Sequence, residues 1–398
     1  MRRKRPTRTL EACNNGPGGV NVNETFSGTV RDVSAAGSGV VEHPGGRVFF
    51  VPGVWIGERG SFRVTALRGR YGHAVLEALT AASPQRVAPA CPHHGTGPTA
   101  CGGCPWQFID YTAQCAAKDA RVRAAMEQLG AGATVQALWP SPQSYGYRNR
   151  AQFKTDGSRL GYVAAGSNTL VPINDCPILT PSNRDTLAAL LARLPDPTLK
   201  PARGQPWSSL DIDDDISADD VVPNRRRPFR QGNSAQNARM QEWLTDALDP
   251  LPRSAPVLEL FAGDGNFTAA IAEMGFTDIL ALDSAQDAIA KLSTQRLPGV
   301  RSQVCNLYAA DAFDRLRKPL AAAQILVLDP PRDGLKHVDA LLHRARSLQH
   351  VLYVSCDLAT FTRDLARFVE SGFRVAEVQP LDQFPHTPHI ELLGRLTR

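Results

Sequence analysis

The chain has 398 residues, too many for one ordinary hydrophobic core, so two or three domains are expected. With 42% hydrophobic and 21% charged residues it reads as a globular protein; it has neither a run of about 18 apolar residues nor a signal-peptide core, which leads to the expectation of a cytoplasmic protein without a membrane anchor. The net charge of +5 is local, because Arg2, Arg3, Lys4, Arg5 and Arg8 supply it and the remainder holds 39 basic residues against 39 acidic ones. Residues 1–23, basic and then Gly/Asn-rich, are expected to be a disordered tail, free either to touch a phosphate backbone or simply to be solvated. Eight cysteines (13, 91, 101, 104, 115, 176, 305 and 356) are too sparse for a disulfide scaffold. Where they cluster, metal binding or chemistry is the expectation.

Residues 24–80 carry short β-prone runs (FSGTV, GVVEHP, RVFFVPGV, GSFRVTAL, YGHAVLEAL) broken by Gly and Pro, the pattern of a small β-barrel. The Gly-Ser-Gly-Val and Val-Phe-Phe-Val-Pro-Gly stretches and the closing basic strand resemble the TRAM domain, an OB-like RNA-binding module. Residues 81–228 are expected to form a central α+β domain. It opens on CPHHGTGPTACGGCPWQF, in which Cys101 and Cys104 face one point across a Gly-Gly turn. Cys91 lies upstream, and Cys176 sits in a similar Cys-Pro setting. Four such thiolates suit Zn²⁺ or an iron–sulfur cluster, with a redox dithiol as the bland alternative. The spacing of a radical initiator is absent. Tyr111 to Gly130 predicts a helix closed by Gly130, able to pack on the catalytic domain, with Cys115 as core. RAQFKT, RLGYVA and TLVPI predict strands, 182–193 a helix, and the acidic run Asp211 to Asp220 a solvated edge or turn that would repel RNA.

From 229 to 398, strands alternate with helices, as in a doubly wound α/β sheet. In VLELFAGDGNFT a β-run meets a Gly-x-Gly turn (Gly263, Gly265), and Thr268 to Met274 is predicted helical. The glycines let backbone approach a ligand, but without a third glycine or a basic residue an adenosine–amino-acid ligand fits better than a phosphate. About 20 residues on, Asp283 ends a second strand, placed to accept ribose hydroxyls. Asp329-Pro330-Pro331-Arg332 ends the apolar run ILVL. In VLYVSCDLATFTRDL a short strand ends at Cys356, where open α/β sheets bind ligands, and a helix is predicted from Thr360 to Val369. A strand-end cysteine can also be a small buried hydrophobe.

Phe229-Arg230-Gln231, LFAGDGNFT, LDPPRDG, YVSCDLATFTRDL and LDQFPHTPHIE together resemble the RNA uridine-5-methyltransferase family, especially its 23S rRNA branch with a TRAM domain and a [4Fe–4S] cluster. The resemblance covers nearly all of the chain after residue 23. It implies S-adenosylmethionine as cofactor, with contacts on Gln231, Phe261, Gly263, Gly265, Asn266, Asp283, Asn306 and Asp329. It implies Cys356 as nucleophile and Glu391 as general base, and Cys91, Cys101, Cys104 and Cys176 as cluster ligands. It further implies a monomer acting on 23S rRNA, with no DNA or membrane partner. Departures from the family pattern are Ala262 and Leu358, where Cys and Pro are usual, and a longer gap between Cys91 and Cys101.

The chemistry explains the residue types. Carbon 5 of uracil attacks a sulfonium methyl only after a thiolate adds at carbon 6, and the carbon-5 proton must then leave, so a Cys and a carboxylate are both needed. Amino-group methyltransferases need no Cys and carry an aromatic residue where Arg332 stands. His386 and His389 fit orientation of the base, RNA contact or a structural role equally. The alternatives are a tRNA enzyme of the same family and a catalytically inactive TRAM/iron–sulfur RNA-binding assembly factor. Intact Cys356, Glu391 and Asp329 argue against the latter.

Overall fold

The structure, a computed structural model, describes residues 19–398, which form two compact units divided after Arg86. In the first unit β1 (Thr25–Val33), β2 (Gly39–Glu42), β3 (Val48–Val51), β4 (Arg59–Arg68) and β5 (Tyr71–Ala81) close a barrel in the order β1-β2-β3-β5-β4. All its pairs are antiparallel except β3–β5. Alternation builds it: Phe26, Val41, Phe49, Val51, Phe62 and Val64 fill the interior while their neighbours along each strand face out. Residues 19–23, expected to be disordered, are ordered. Val20 joins the barrel core, and the Asn23 N–H donates to the Val64 carbonyl at 2.8 Å. The basic tail and Cys13 lie outside the described residues.

The second unit opens with α1 (Tyr111–Leu129). The Asp110 side chain caps it by accepting from the Thr112 and Ala113 N–H groups, and Gly130 closes it at φ 65°. There follow β6 (Thr134–Val135), β7 (Arg150–Thr155), β8 (Leu160–Val163), β9 (Leu170–Pro172), α2 (Pro181–Ala192) and β10 (Ser208–Asp213). Strands β10-β7-β8-β9, in that order, make an antiparallel sheet over Phe153, Leu160, Leu187, Leu190, Leu210 and Ile212. The acidic run begins in edge strand β10 rather than in solvent: Asp211 and Asp213 are only 4% and 5% exposed. Arg150 bonds Asp211 at 2.7 Å and Arg227 bonds Asp213, so each buried carboxylate is matched by a guanidinium.

Next come α3 (Ser234–Leu248), β11 (Val257–Leu260), α4 (Asn266–Glu273), β12 (Ile279–Asp283), α5 (Gln286–Thr294) and β13 (Val300–Val304). The chain continues through α6 (Ala312–Arg315), α7 (Arg317–Ala322), β14 (Ile325–Leu328), α8 (Val338–Arg344), β15 (His350–Ser355), α9 (Leu358–Glu370), β16 (Arg374–Leu381) and β17 (Glu391–Thr397). The resulting eight-stranded sheet runs β13-β12-β11-β14-β15-β17-β16-β6. Its first five strands are parallel; β17 enters antiparallel between β15 and β16, and β6 adds to the far edge. Apolar side chains cover both faces. Phe361, Leu365 and Phe368 of α9 pack with Val122 and Met126 of α1 on one, while Met240 and Trp243 of α3 and Ile271 of α4 cover the other. Helix α4 starts at Asn266, two residues before the expected Thr268, because Gly265 at φ 100° lets the chain enter the helix directly from the turn. Among the described residues no helix is long and apolar enough to cross a membrane.

Asp211 also accepts from the Gln152 amide and the Arg227 N–H, so Asp211→Ala takes a shared acceptor from three donors at once, Arg150 keeping only its backbone carbonyl partners. A loss of about 2–4 kcal/mol of stability is expected. Urea denaturation of the variant beside wild type measures it, and an unchanged midpoint would show that the pair is only a surface contact.

Candidate active site

The carboxyl ends of the central strands lie in one row because their registers match: Leu260 pairs with Leu282 and Leu328, and Leu328 pairs with Tyr353. Just beyond these positions come Phe261, Asp283, Asp329 and, after two more residues of β15, Cys356. The turn after β11 is left-handed at Phe261 (φ 66°), Gly263 (φ 58°) and Gly265 (φ 100°). A Cβ on Gly265 would meet Leu292 at 2.5 Å, so glycine there serves packing; one on Gly263 would meet nothing within 4 Å, so the space over that turn is open. Phe261, the residue with a side chain in this strained region, has its ring 5.7 Å from that of Tyr308.

Polar groups around the turn hold one another. The Gly263 N–H donates to one Asp283 oxygen at 2.9 Å and the Ala285 N–H to the other at 2.8 Å. Asn306 accepts from the Tyr308 N–H at 3.1 Å. Gln231 makes a long 3.5 Å contact to Asp329 and accepts from Gln383 at 3.1 Å. The Asn266 amide is committed elsewhere: it exchanges two 2.9 Å hydrogen bonds with Asn237 of α3.

Strand β17 brings the last carboxylate in. Ser355 is opposite Leu392, so Cys356 and Glu391 come one residue beyond that last pair, and Glu391 is paired on its other side with Leu381 of β16. Burial, then the charges of Glu391 and Asp329, push the Cys356 thiol up to about 12, with Arg332 pulling the other way. Glu391 is held well above the usual carboxylate range by burial and Asp329, again opposed by Arg332. Burial lifts Glu259 to about 8, although Thr268 donates to it at 2.6 Å, and burial with the charge of Asp283 lifts Asp329 to about 7. Thiol and carboxyls are thus favoured in their neutral forms. A cationic ligand set among them would favour the anions that can act as nucleophile and base.

Of the two histidines, His389 lies 3.3 Å from the exposed Arg332, and His386 is buried against Tyr145, with ring centroids 4.4 Å apart. Cys91, Cys101, Cys104 and Cys176 share one neighbourhood: burial raises each thiol, and Cys101, Cys104 and Cys176 are raised further by charge on others of the set. Among the described residues no three His, Cys, Asp or Glu side chains converge as a metal-holding group. The donor chemistry of the four thiols suits a soft metal or cluster. Sequence reasoning missed Lys118, Asp382 and Gln383, which anchor the segment leading to Glu391. Asp382 and Gln383 stand inside LDQFPHTPHIE and could have been flagged there; a lysine on a helix gave no signal.

The family model for tRNA (uracil-5-)-methyltransferases matches residues 222–397. A Nitrosomonas europaea protein, named as an uncharacterised RNA methyltransferase, is 43% identical over 92% of this chain and 95% of its own. A 23S rRNA (uracil(1939)-C(5))-methyltransferase, RlmD, of Pectobacterium carotovorum is 30% identical over 92% of both chains. The crystal structure of Pyrococcus abyssi tRNA (uracil-54, C5)-methyltransferase with S-adenosyl-L-homocysteine superposes with a TM-score of 0.67, covering 94% of this chain and all of that one. At 21% identity that likeness speaks for the fold.

Alkylation of Cys356 by iodoacetamide, followed by peptide mass mapping, is expected to accelerate roughly tenfold per pH unit from about pH 7 to 9, since the thiolate is the reactive form. Glu391→Gln, which removes the carboxylate whose charge opposes the thiolate, should speed it at any pH high enough for Glu391 to be ionised. A rate flat with pH would mean that the thiolate already exists at neutrality.

Proposed function

Because the chain belongs to the tRNA (uracil-5-)-methyltransferase family of S-adenosylmethionine-dependent RNA uracil-5-methyltransferases, we propose that it forms 5-methyluridine in 23S rRNA, with Cys356 as nucleophile and Glu391 as base. What supports this reading is the register that pairs Ser355, just before Cys356, with Leu392, just after Glu391, at the strand edge that also carries the open Gly263 turn. The choice of 23S rRNA is supported by relatives named for that substrate, whose alignments cover 91% and 92% of this chain.

S-adenosylmethionine, when bound, supplies the methyl group and a positive sulfonium, the kind of charge that the surrounding carboxyls lack. Gln231, Phe261, Gly263, Gly265, Asp283, Asn306 and Asp329 are its proposed contacts, joined by Asn266 through its backbone, since that amide is paired with Asn237. The Cys356 sulfur bonds to carbon 6 of uracil, and the carbon 5–carbon 6 π electrons move out to the enolate that is methylated at carbon 5. Glu391 then takes the carbon-5 proton, the double bond re-forms, and the sulfur leaves as thiolate. Arg332 favours both anions. A target in folded RNA must swing out of its stack to reach this edge.

Cys91, Cys101, Cys104 and Cys176 are proposed to hold a [4Fe–4S] cluster, with zinc as the alternative; the metal would fasten the cysteine loop to the central sheet. The barrel is read as a TRAM-like RNA-holding module. Phe50, Tyr71 and His73 offer three rings on its outside, with centroids 5.5 to 6.1 Å apart. The side chains of Arg47, Arg68 and Arg70, without polar partners among the described residues, stand at the same strand ends. Rings for stacking and free cations for phosphate suit single-stranded RNA.

The test is nucleoside mass spectrometry on unmodified 23S rRNA, 16S rRNA and tRNA incubated with protein and S-adenosylmethionine. New 5-methyluridine in 23S rRNA, absent with Cys356→Ala, is expected; product in tRNA alone would move the substrate, and none anywhere would favour a binding factor. For the cysteine set, anaerobically purified protein is expected to be brown and to contain iron and sulfide. Stoichiometric zinc in a colourless protein would overturn the cluster.

A further inference from the structure

Residues 382–390 join β16 to β17 and end at Glu391, so their position sets where the proposed base stands. One face of α1 holds this segment. Tyr111, Gln114, Lys118 and Arg121, spaced three and four apart, form a polar stripe along that face, where a helix buried in a core would ordinarily be apolar. The Lys118 ammonium bonds Asp382 Oδ1 at 2.6 Å with both side chains fully buried, and also donates to the Phe384 carbonyl at 3.2 Å. The Tyr111 hydroxyl donates to Asp382 Oδ2 at 2.8 Å. Gln114 accepts from the His386 N–H at 2.9 Å and its amide meets His386 Nδ1 at 3.1 Å, which holds His386 in a left-handed conformation at φ 66°. Arg121 donates to the Pro388 carbonyl at 3.0 Å.

A fully buried ion pair adds little to net stability compared with apolar packing, so its use here fits geometry better than stability. We propose that the α1 stripe, centred on Lys118 and Asp382, is a positioning element for Glu391 that governs removal of the carbon-5 proton and leaves uridine binding unchanged. The inference rests on the uracil methylation proposed above. In the step concerned, Glu391 accepts the carbon-5 proton, the C–H electrons become the carbon 5–carbon 6 double bond, and the carbon 6–sulfur bond breaks with its pair returning to Cys356. Displacing Glu391 stalls this step after methyl transfer and leaves RNA covalently attached to Cys356.

The experiment compares wild type, Tyr111→Phe, and the double variant Lys118→Met/Asp382→Asn, which leaves no orphaned charge. Each is assayed for kcat, KM for RNA, and protein–RNA adduct surviving denaturing electrophoresis, after circular dichroism has shown native folding. Both variants are expected to keep KM within about twofold, lose roughly 10- to 100-fold in kcat, and accumulate adduct, as a misplaced catalytic group does. Folded variants with adduct at the wild-type level, whether kcat falls or not, overturn the proposal, as does a rise in KM that accounts for the whole loss. If the double variant does not fold, Tyr111→Phe, which removes one hydroxyl, decides alone. A wild type yielding neither 5-methyluridine nor adduct overturns the methylation reading itself, and this inference with it.

Discussion

The antiparallel entry of β17 between β15 and β16 is the constraint on which the site depends. A parallel sheet alone collects ligands and charged groups along its carboxyl edge, since every strand runs the same way. It cannot deliver a residue that begins a strand to that edge. Reversing one strand does so: β17 starts where β15 ends, and Glu391, its first residue, comes close enough to Cys356 for its charge to raise the thiol. A slip of one residue in this register would turn Glu391 to the opposite face of the sheet. Leu392, Leu393 and Leu396, all fully buried, prevent the slip because their alternation fills the apolar layers on the two faces.

The second governing feature is electrostatic. Glu259, Asp329, Glu391 and Cys356 are raised by burial and by nearby acids, Asp283 acting on Asp329 and Asp329 on the other three, and Arg332 is the cation that opposes this at both proposed catalytic groups. Such a site stores reactivity in neutral form and is well matched to a cofactor that brings its own positive charge. The strain at Phe261 and His386, both left-handed with side chains, falls at the Gly-x-Gly turn after β11 and within the segment leading to Glu391. Backbone strain persists where surrounding contacts over-determine it, and both positions have them.

Much of the fold was legible in the sequence. Five alternating runs became five barrel strands, and RAQFKT, RLGYVA and TLVPI became β7, β8 and β9, because period-two burial is a local property of the chain. Local reading failed where a partner distant in sequence changed the outcome. The acidic run looked solvated because Arg150, some 61 residues before Asp211, could not be seen to neutralise it. Lys118 drew no notice because its partner Asp382 lies 264 residues away. Val20 looked like part of a loose tail because the barrel that buries it had not yet been assembled.

What the sequence determined by itself was the set of chemical parts: a Gly-x-Gly turn after a strand, acids at strand ends, a cysteine in Ser-Cys-Asp, and a glutamate closing LDQFPHTPHIE. These follow from local propensity and from residue type, which need no partner. Only the tertiary structure decided which parts meet. It brought the start of β17, with Glu391, to the end of β15, with Cys356, committed the Asn266 amide to Asn237, and gave one face of α1 to the segment that leads to Glu391. Those are contacts between residues tens to hundreds of positions apart, and their geometry comes from sheet order and layer packing, which residue types alone do not specify.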